Sequence, residues 1–253
     1  MKKIIFNVLK KNIYIVPSIF TCGNIICGYL SIIKSFNKEI VKSSLLISMA
    51  MLFDFFDGKI ARITNTTTKF GIYLDSIGDS ISFGIAPSIL TYELISKNIG
   101  SNFSVLITTI FVLCSTLRLA KYNLSSNVNV INNSFIGLPT TASAGFLISF
   151  ILSYEFFIKN YNNYNDIVII VFNLLLVITF ILSLLMISNI PYISLKNINS
   201  SKPKILQLLL FLIFFLLVLI LIIEKKLIFV FTFIIFSTYI ISGIIKYFIK
   251  SYI

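Results

Sequence analysis

Four carboxylates, Asp54, Asp57, Asp75 and Asp79, stand close together in a 253-residue chain that has only nine acidic residues. Apolar stretches long enough to be buried in a bilayer flank them on both sides. A carboxylate in that setting is costly unless a cation sits beside it. The spacing is regular. Asp54, Asp57, Gly58, Ala61 and Arg62 recur every three to four residues and so share one face of a helix. Gly71, Asp75 and Asp79 repeat every four residues on a second helix. Two such helices facing each other would gather the four carboxylates around one or two metal ions. An all-oxygen ligand set suits Mg2+ or Mn2+. If the acids served only as ion-pair partners they would need nearby cations, and Lys59, Arg62 and Lys69 are few for that purpose.

Other chemistries are excluded by composition. The chain has no histidine, which removes imidazole general catalysis, Ser-His-Asp hydrolysis and histidine-ligated metal. No glycine loop of the nucleotide-triphosphate type is present. Cys22 and Cys27 are five apart, which is not the spacing of a metal-binding pair. Together with Cys114 they read as small buried hydrophobes.

The elements that must hold these groups are membrane spans. Hydrophobic residues make up 57% of the chain and its mean hydropathy is +0.98, well beyond a soluble domain. A span needs about 20 apolar residues. Eight stretches qualify: 13–35, 43–63, 71–95, 102–121, 139–158, 166–188, 205–223 and 227–248. The expected fold is therefore all-α, a polytopic transmembrane helical bundle of about eight spans. The basic start, MKKIIFNVLKKNIYIVP, reads as a short amphipathic helix on the membrane surface rather than as a secretory signal. We expect one integral membrane domain over 1–253, with catalytic helices and acceptor region in 13–145 and additional spans in 146–253. The first three spans are punctuated by polar residues, Gly and Pro. Such residues should face the bundle interior or a wet cavity, so function belongs to the N-terminal half and the last spans read as scaffold.

The net charge of +12 does not indicate a nucleic-acid partner, because the cations are spread thinly over short loops. With a cytoplasmic N-terminus, 14 of the 21 basic residues fall inside and 7 outside, as positive-inside bias requires. Both termini and the Arg62–Lys69 loop are then cytoplasmic, in the cell membrane.

The full pattern Asp54, Asp57, Gly58, Ala61, Arg62, Gly71, Asp75, Asp79 fills every fixed position of D-x2-D-G-x2-A-R-x8-G-x3-D-x3-D. That pattern resembles the signature of the CDP-alcohol phosphatidyltransferase family. The resemblance implies a CDP-linked lipid as donor and one or, more in keeping with four acids, two divalent ions. It makes Asp54, Asp57, Asp75 and Asp79 metal ligands, with Asp79 also the base toward the attacking hydroxyl. Gly58, Ala61 and Gly71 would let the nucleotide press on the helix backbones, and Arg62 would meet a phosphate oxygen. Standing alone, these small residues would also serve close helix packing.

Three further segments resemble the phosphatidylserine synthase branch of that family. LDSIGDSISFGIAP extends the signature through Ser82, Phe83, Gly84, Ala86 and Pro87. RLAKYN, from Arg118 to Asn123, is followed by FIGLPTTASAG, from Phe135 to Gly145. VPSIFTCGNIICGYLSI places Pro17, Thr21, Asn24 and Gly28 as in the branch's first span, and Thr21 and Asn24 join the expected CDP-lipid site. Ser18 stands where the branch has Asn, and Lys121–Tyr122 where it has Arg–Phe. The partners implied are CDP-diacylglycerol, L-serine and the lipid bilayer, with homodimer formation left open. A serine site needs a cation for the carboxylate, for which Arg118, Lys121 and Asn123 are the candidates; the same cations would also serve as cytoplasmic anchors. Two alternatives stay open. Glycerol 3-phosphate or an inositol phosphate as acceptor would call for more cations than Arg118 and Lys121. A divalent-cation transporter would spread its ionisable groups over several spans and often show inverted repeats.

Overall fold

A computed structural model describes residues 15–64, 68–126, 134–157, 165–193 and 227–252. These form eight α-helices, one π-helical turn and a single two-stranded ribbon. The expected N-terminal surface helix and the stretch 205–223 lie outside the described residues.

Helices α1 (Ile15–Phe36) and α2 (Ile40–Ile63) make an antiparallel hairpin. Pro17 falls in the first turn of α1, where its missing N–H leaves nothing unsatisfied. The chain reverses through Lys38, whose φ of 60° is left-handed. Glu39 holds the corner by accepting from Lys34 at 2.8 Å and by pairing with Lys42. These two ammonium groups hold the Glu39 carboxyl below its ordinary range. Small residues bring the two helices together. The buried hydroxyls of Ser31, Ser35 and Ser43 form a ladder with 2.8 Å steps, the small polar contact typical of membrane helix pairs. Antiparallel packing returns the end of α2 to the start of α1.

Helix α3 (Lys69–Asp79) is capped by Thr68, whose Oγ1 accepts from the Gly71 N–H at 3.0 Å. It runs into a π-helical turn, Ser80–Ile85, and then α4 (Ala86–Ile99). Ser82, Phe83 and Gly84 in that turn are buried. They wedge between two neighbours. A Cβ at Gly28 of α1 would collide with Ser82, and a Cβ at Gly84 would meet Ser115 Oγ at 2.6 Å. Ser115 belongs to α5 (Ser101–Ser126).

Helix α6 (Thr140–Phe157) starts directly after Pro139, where the expected span 139–158 begins. Gly137 has φ 83°, and its N–H donates to the Ile190 carbonyl. Strand β1 (Ser134–Ile136) pairs antiparallel with β2 (Pro191–Ile193), which follows α7 (Asn165–Ile187). This ribbon is an addition to the expected all-α fold. Helix α8 (Leu227–Tyr252) lies on α6 through Phe146, Phe150 and Phe156 against Phe233 and Phe229.

The core contains Ile47, Ala50, Phe83, Leu90, Phe111, Leu138 and Leu147. The outside is apolar as well. Ile19, Phe103, Ile170 and Phe231 are among many exposed large hydrophobics, which makes this a membrane protein whose outer surface meets lipid. Cys22 is exposed on that surface, not buried, while Cys114 is buried as expected. Four described helical segments are long and apolar enough to cross a bilayer: Pro17–Phe36, Ser101–Leu124, Val168–Ile187 and Phe229–Tyr247. Helix α2 differs because it carries Lys42, Asp54, Asp57, Lys59 and Arg62. The expected third span differs because the π turn divides it.

Candidate active site

Asp54 and Asp57 stand near the end of α2, and Asp75 lies on α3. One carboxylate oxygen from each lies within 4.8 Å of the other two. Asp57 is buried, while Asp54 and Asp75 are half-buried. The Thr21 hydroxyl of α1 donates to the Pro17 carbonyl at 3.2 Å and stands beside the Asp57 carboxylate. Asp57 Oδ2 is buried and has no hydrogen-bond partner among the described residues. An anionic oxygen left so is expensive. A cation between the three carboxylates would satisfy it, and an all-oxygen donor set fits a hard divalent ion.

Asp79 follows one turn after Asp75 on the inner side of α3. Its Oδ1 accepts from Asn24 Nδ2 at 3.4 Å. It lies within Coulombic range of Asp54, Asp57, Asp75 and Arg118. Asn24 is fully buried, and its own backbone carbonyl accepts from Ser82 Oγ at 2.9 Å. The hydrogen bond between α1 and the π turn therefore fixes the amide that steadies Asp79. Asn24 Oδ1 stays buried with no partner among the described residues.

Gly58 and Ala61 lie half-buried on α2 close to the acids. Arg62 follows Ala61 on the same helix. Gly71 sits in the first turn of α3, held by Thr68. Lys59 lies over the Phe55 ring, 5.2 Å from its centroid. The RLAKYN residues divide. Arg118 is 9% exposed, and its Nη1 donates to Thr140 Oγ1 at 3.4 Å. Asn123 Nδ2 donates to Ser76 Oγ at 2.9 Å, which ties the end of α5 to the residue beside Asp75. Lys121 is exposed, and its Nζ donates to Asn189 Oδ1 at 3.3 Å. Arg118 and Asn123 thus come to the acids, while Lys121 turns toward the end of α7.

Several residues at the site escaped sequence reasoning. A Cβ at Gly78 would press on Asn24 Nδ2 at 3.3 Å and on Ile25 at 3.2 Å, so this glycine lets α1 approach Asp79. Its signal was available: a small residue on the inner face of an acid-bearing helix. Ser76 and Thr140 carried no comparable signal, because what they touch is distant in the chain.

The sequence profile of the CDP-alcohol phosphatidyltransferase family matches residues 14–181. The chain belongs to that family. Among similar proteins is a CDP-diacylglycerol–serine O-phosphatidyltransferase of Helicobacter pylori (strain J99). It is 33% identical over 202 residues, covering 79% of this chain and 80% of that protein. Proteins of the same name from Methanocaldococcus jannaschii and Bacillus subtilis are 39% and 36% identical. They cover 55% and 49% of this chain, and 62% and 68% of their own lengths.

Proposed function

We propose that this protein transfers the phosphatidyl group of CDP-diacylglycerol to the hydroxyl of L-serine, giving phosphatidylserine and CMP. The observation that carries the reading is the meeting of three carboxylates within 4.8 Å, with Asp79 one turn away and the buried Arg118 in its field. With divalent metal held by the acids, these would form a donor site able to take an anionic pyrophosphate, beside a cationic acceptor site. The similarity to proteins named for this reaction supports it.

Asp54, Asp57 and Asp75 would hold Mg2+ or Mn2+, with Asp79 completing a second position. When bound, the divalent ions supply charge neutralisation between these carboxylates and the donor pyrophosphate. Gly58, Ala61 and Gly71 leave room for the nucleotide, Arg62 offers its guanidinium to a phosphate, and Thr21 and Asn24 keep Asp57 and Asp79 in position. Asp79 takes the proton of the serine hydroxyl. The serine oxygen bonds to the lipid-bearing phosphorus, the pyrophosphate P–O bond breaks, and CMP leaves with the bridging oxygen. Arg118, with Asn123 at the same helix end, takes the serine carboxylate, while Lys121, first a candidate for that site, is turned to Asn189. The arrangement proposed is a single integral membrane domain of about eight spans, and the distribution of the 21 basic residues supports placing the active site and both termini on the cytoplasmic side.

The test is CMP release by purified protein given CDP-diacylglycerol, a divalent metal and a panel of alcohols. Serine should be the preferred acceptor. Release driven by glycerol 3-phosphate or an inositol phosphate, with none from serine, would reassign the acceptor.

A further inference from the structure

The acids and the signature do not account for a second polar cluster near Arg118. Arg118 donates through Nη1 to Thr140, but its Nε is buried without a partner among the described residues. Tyr239 of α8 lies within Coulombic range of Arg118. Tyr192 of β2 is 1% exposed, and its ring centroid lies 5.7 Å from that of Tyr239. The Tyr192 hydroxyl is also buried without a partner among the described residues. Burial pushes its pKa up to about 12, so the hydroxyl is neutral and its oxygen can accept. The ring is held in place by α8, since a Cβ at Gly243 would collide with it. Packing alone would be served as well by phenylalanine. Among the described residues a buried hydroxyl and a buried guanidinium N–H each lack a partner, on separate elements that both approach Tyr239, and such groups call for a polar guest.

We propose that Tyr192 and Tyr239 complete the acceptor compartment, receiving the ammonium group of an amino-acid acceptor whose carboxylate is held by Arg118. This rests on the serine reading above. An ammonium group is repelled by the guanidinium, so it must turn away from Arg118. Tyrosine oxygens and ring faces are uncharged groups that attract a cation there. Both residues lie beyond 181, where the family match ends. The acceptor side would therefore draw on elements outside the shared catalytic segment.

The test uses full-length protein in detergent with CDP-diacylglycerol and divalent metal, and reads CMP release. The KM for serine is measured beside the inhibition constant of glycerate, which is serine with hydroxyl in place of ammonium. Tyr192→Phe and Tyr239→Phe should each raise the serine KM about tenfold, the loss expected for one hydrogen bond to a charged group. Glycerate inhibition and the donor KM should not move. A variant that raises the serine KM less than threefold removes its tyrosine from the compartment. Serine and glycerate weakening together would mean a general disturbance of the fold and would also overturn the assignment. A parent protein that releases no CMP with serine would instead refute the functional reading itself.

Discussion

Neutralising Asp57 tests the acid cluster directly, because it should improve the protein's stability while destroying its purpose. Asp57, Asp54 and Asp75 bring one oxygen each within 4.8 Å. At that separation and an effective dielectric of about 20, two unit charges repel by about 3.5 kcal/mol. Asp57 takes part in two such pairs, so Asp57→Asn removes about 7 kcal/mol of bare repulsion. Asp54 and Asp75 are half-exposed, and screening and proton uptake reduce the gain to about 1 kcal/mol per pair. Asparagine is isosteric and can still stand beside Thr21. Two kcal/mol corresponds to a rise of about 4–8 °C in Tm for a chain of this size. The assay is thermal unfolding in detergent, with chelator and with Mg2+ or Mn2+, alongside CMP release. The parent should gain stability from metal, and the variant should be more stable than the parent in chelator yet gain little from metal and release no CMP. A variant that is less stable in chelator, and is still stabilised by metal as the parent is, would refute a cation site built on these three carboxylates.

Asp79→Asn should keep affinity for CDP-diacylglycerol with metal but slow CMP release at least ~100-fold, the span of general base catalysis; donor affinity falling in step with rate would make Asp79 a binding ligand instead. Arg118→Ala should raise the serine KM more than the donor KM, because only the acceptor carboxylate loses its partner; an unchanged serine KM returns Arg118 to a structural role with Thr140. Gly28→Ala drives a methyl into Ser82 and should cost about 1–3 kcal/mol by overpacking, lowering Tm, with part of the loss recovered by adding Ser82→Ala.

The acid cluster was legible because it depends on local periodicity. Asp54 and Asp57 on one helix and Asp75 on the next required only three- and four-residue spacings and a turn between. The start of α6 after Pro139 was legible for a similar reason, since the expected span 139–158 begins at that proline, a local signal. The π turn over Ser80–Ile85 was not, because its residues are as suited to an α-helix. What selects it is contact with α1 and α5, through Gly28 and Ser115, which are remote in the chain. The ribbon pairing Phe135 with Tyr192 was hidden likewise, since it joins segments more than fifty residues apart and each strand has only three residues. Lys121 illustrates the limit of motif reading. It stands three residues from Arg118, nearly one turn away, yet the structure turns it to Asn189 while Arg118 is buried.

The central claim is that the serine hydroxyl oxygen displaces CMP from the lipid-bearing phosphorus. Serine labelled with 18O in its hydroxyl tests it most directly, with CDP-diacylglycerol as donor and mass spectrometry of both products. The account predicts one 18O in the phosphatidylserine and none in the CMP. A labelled CMP, or a lipid product without the label, would contradict it.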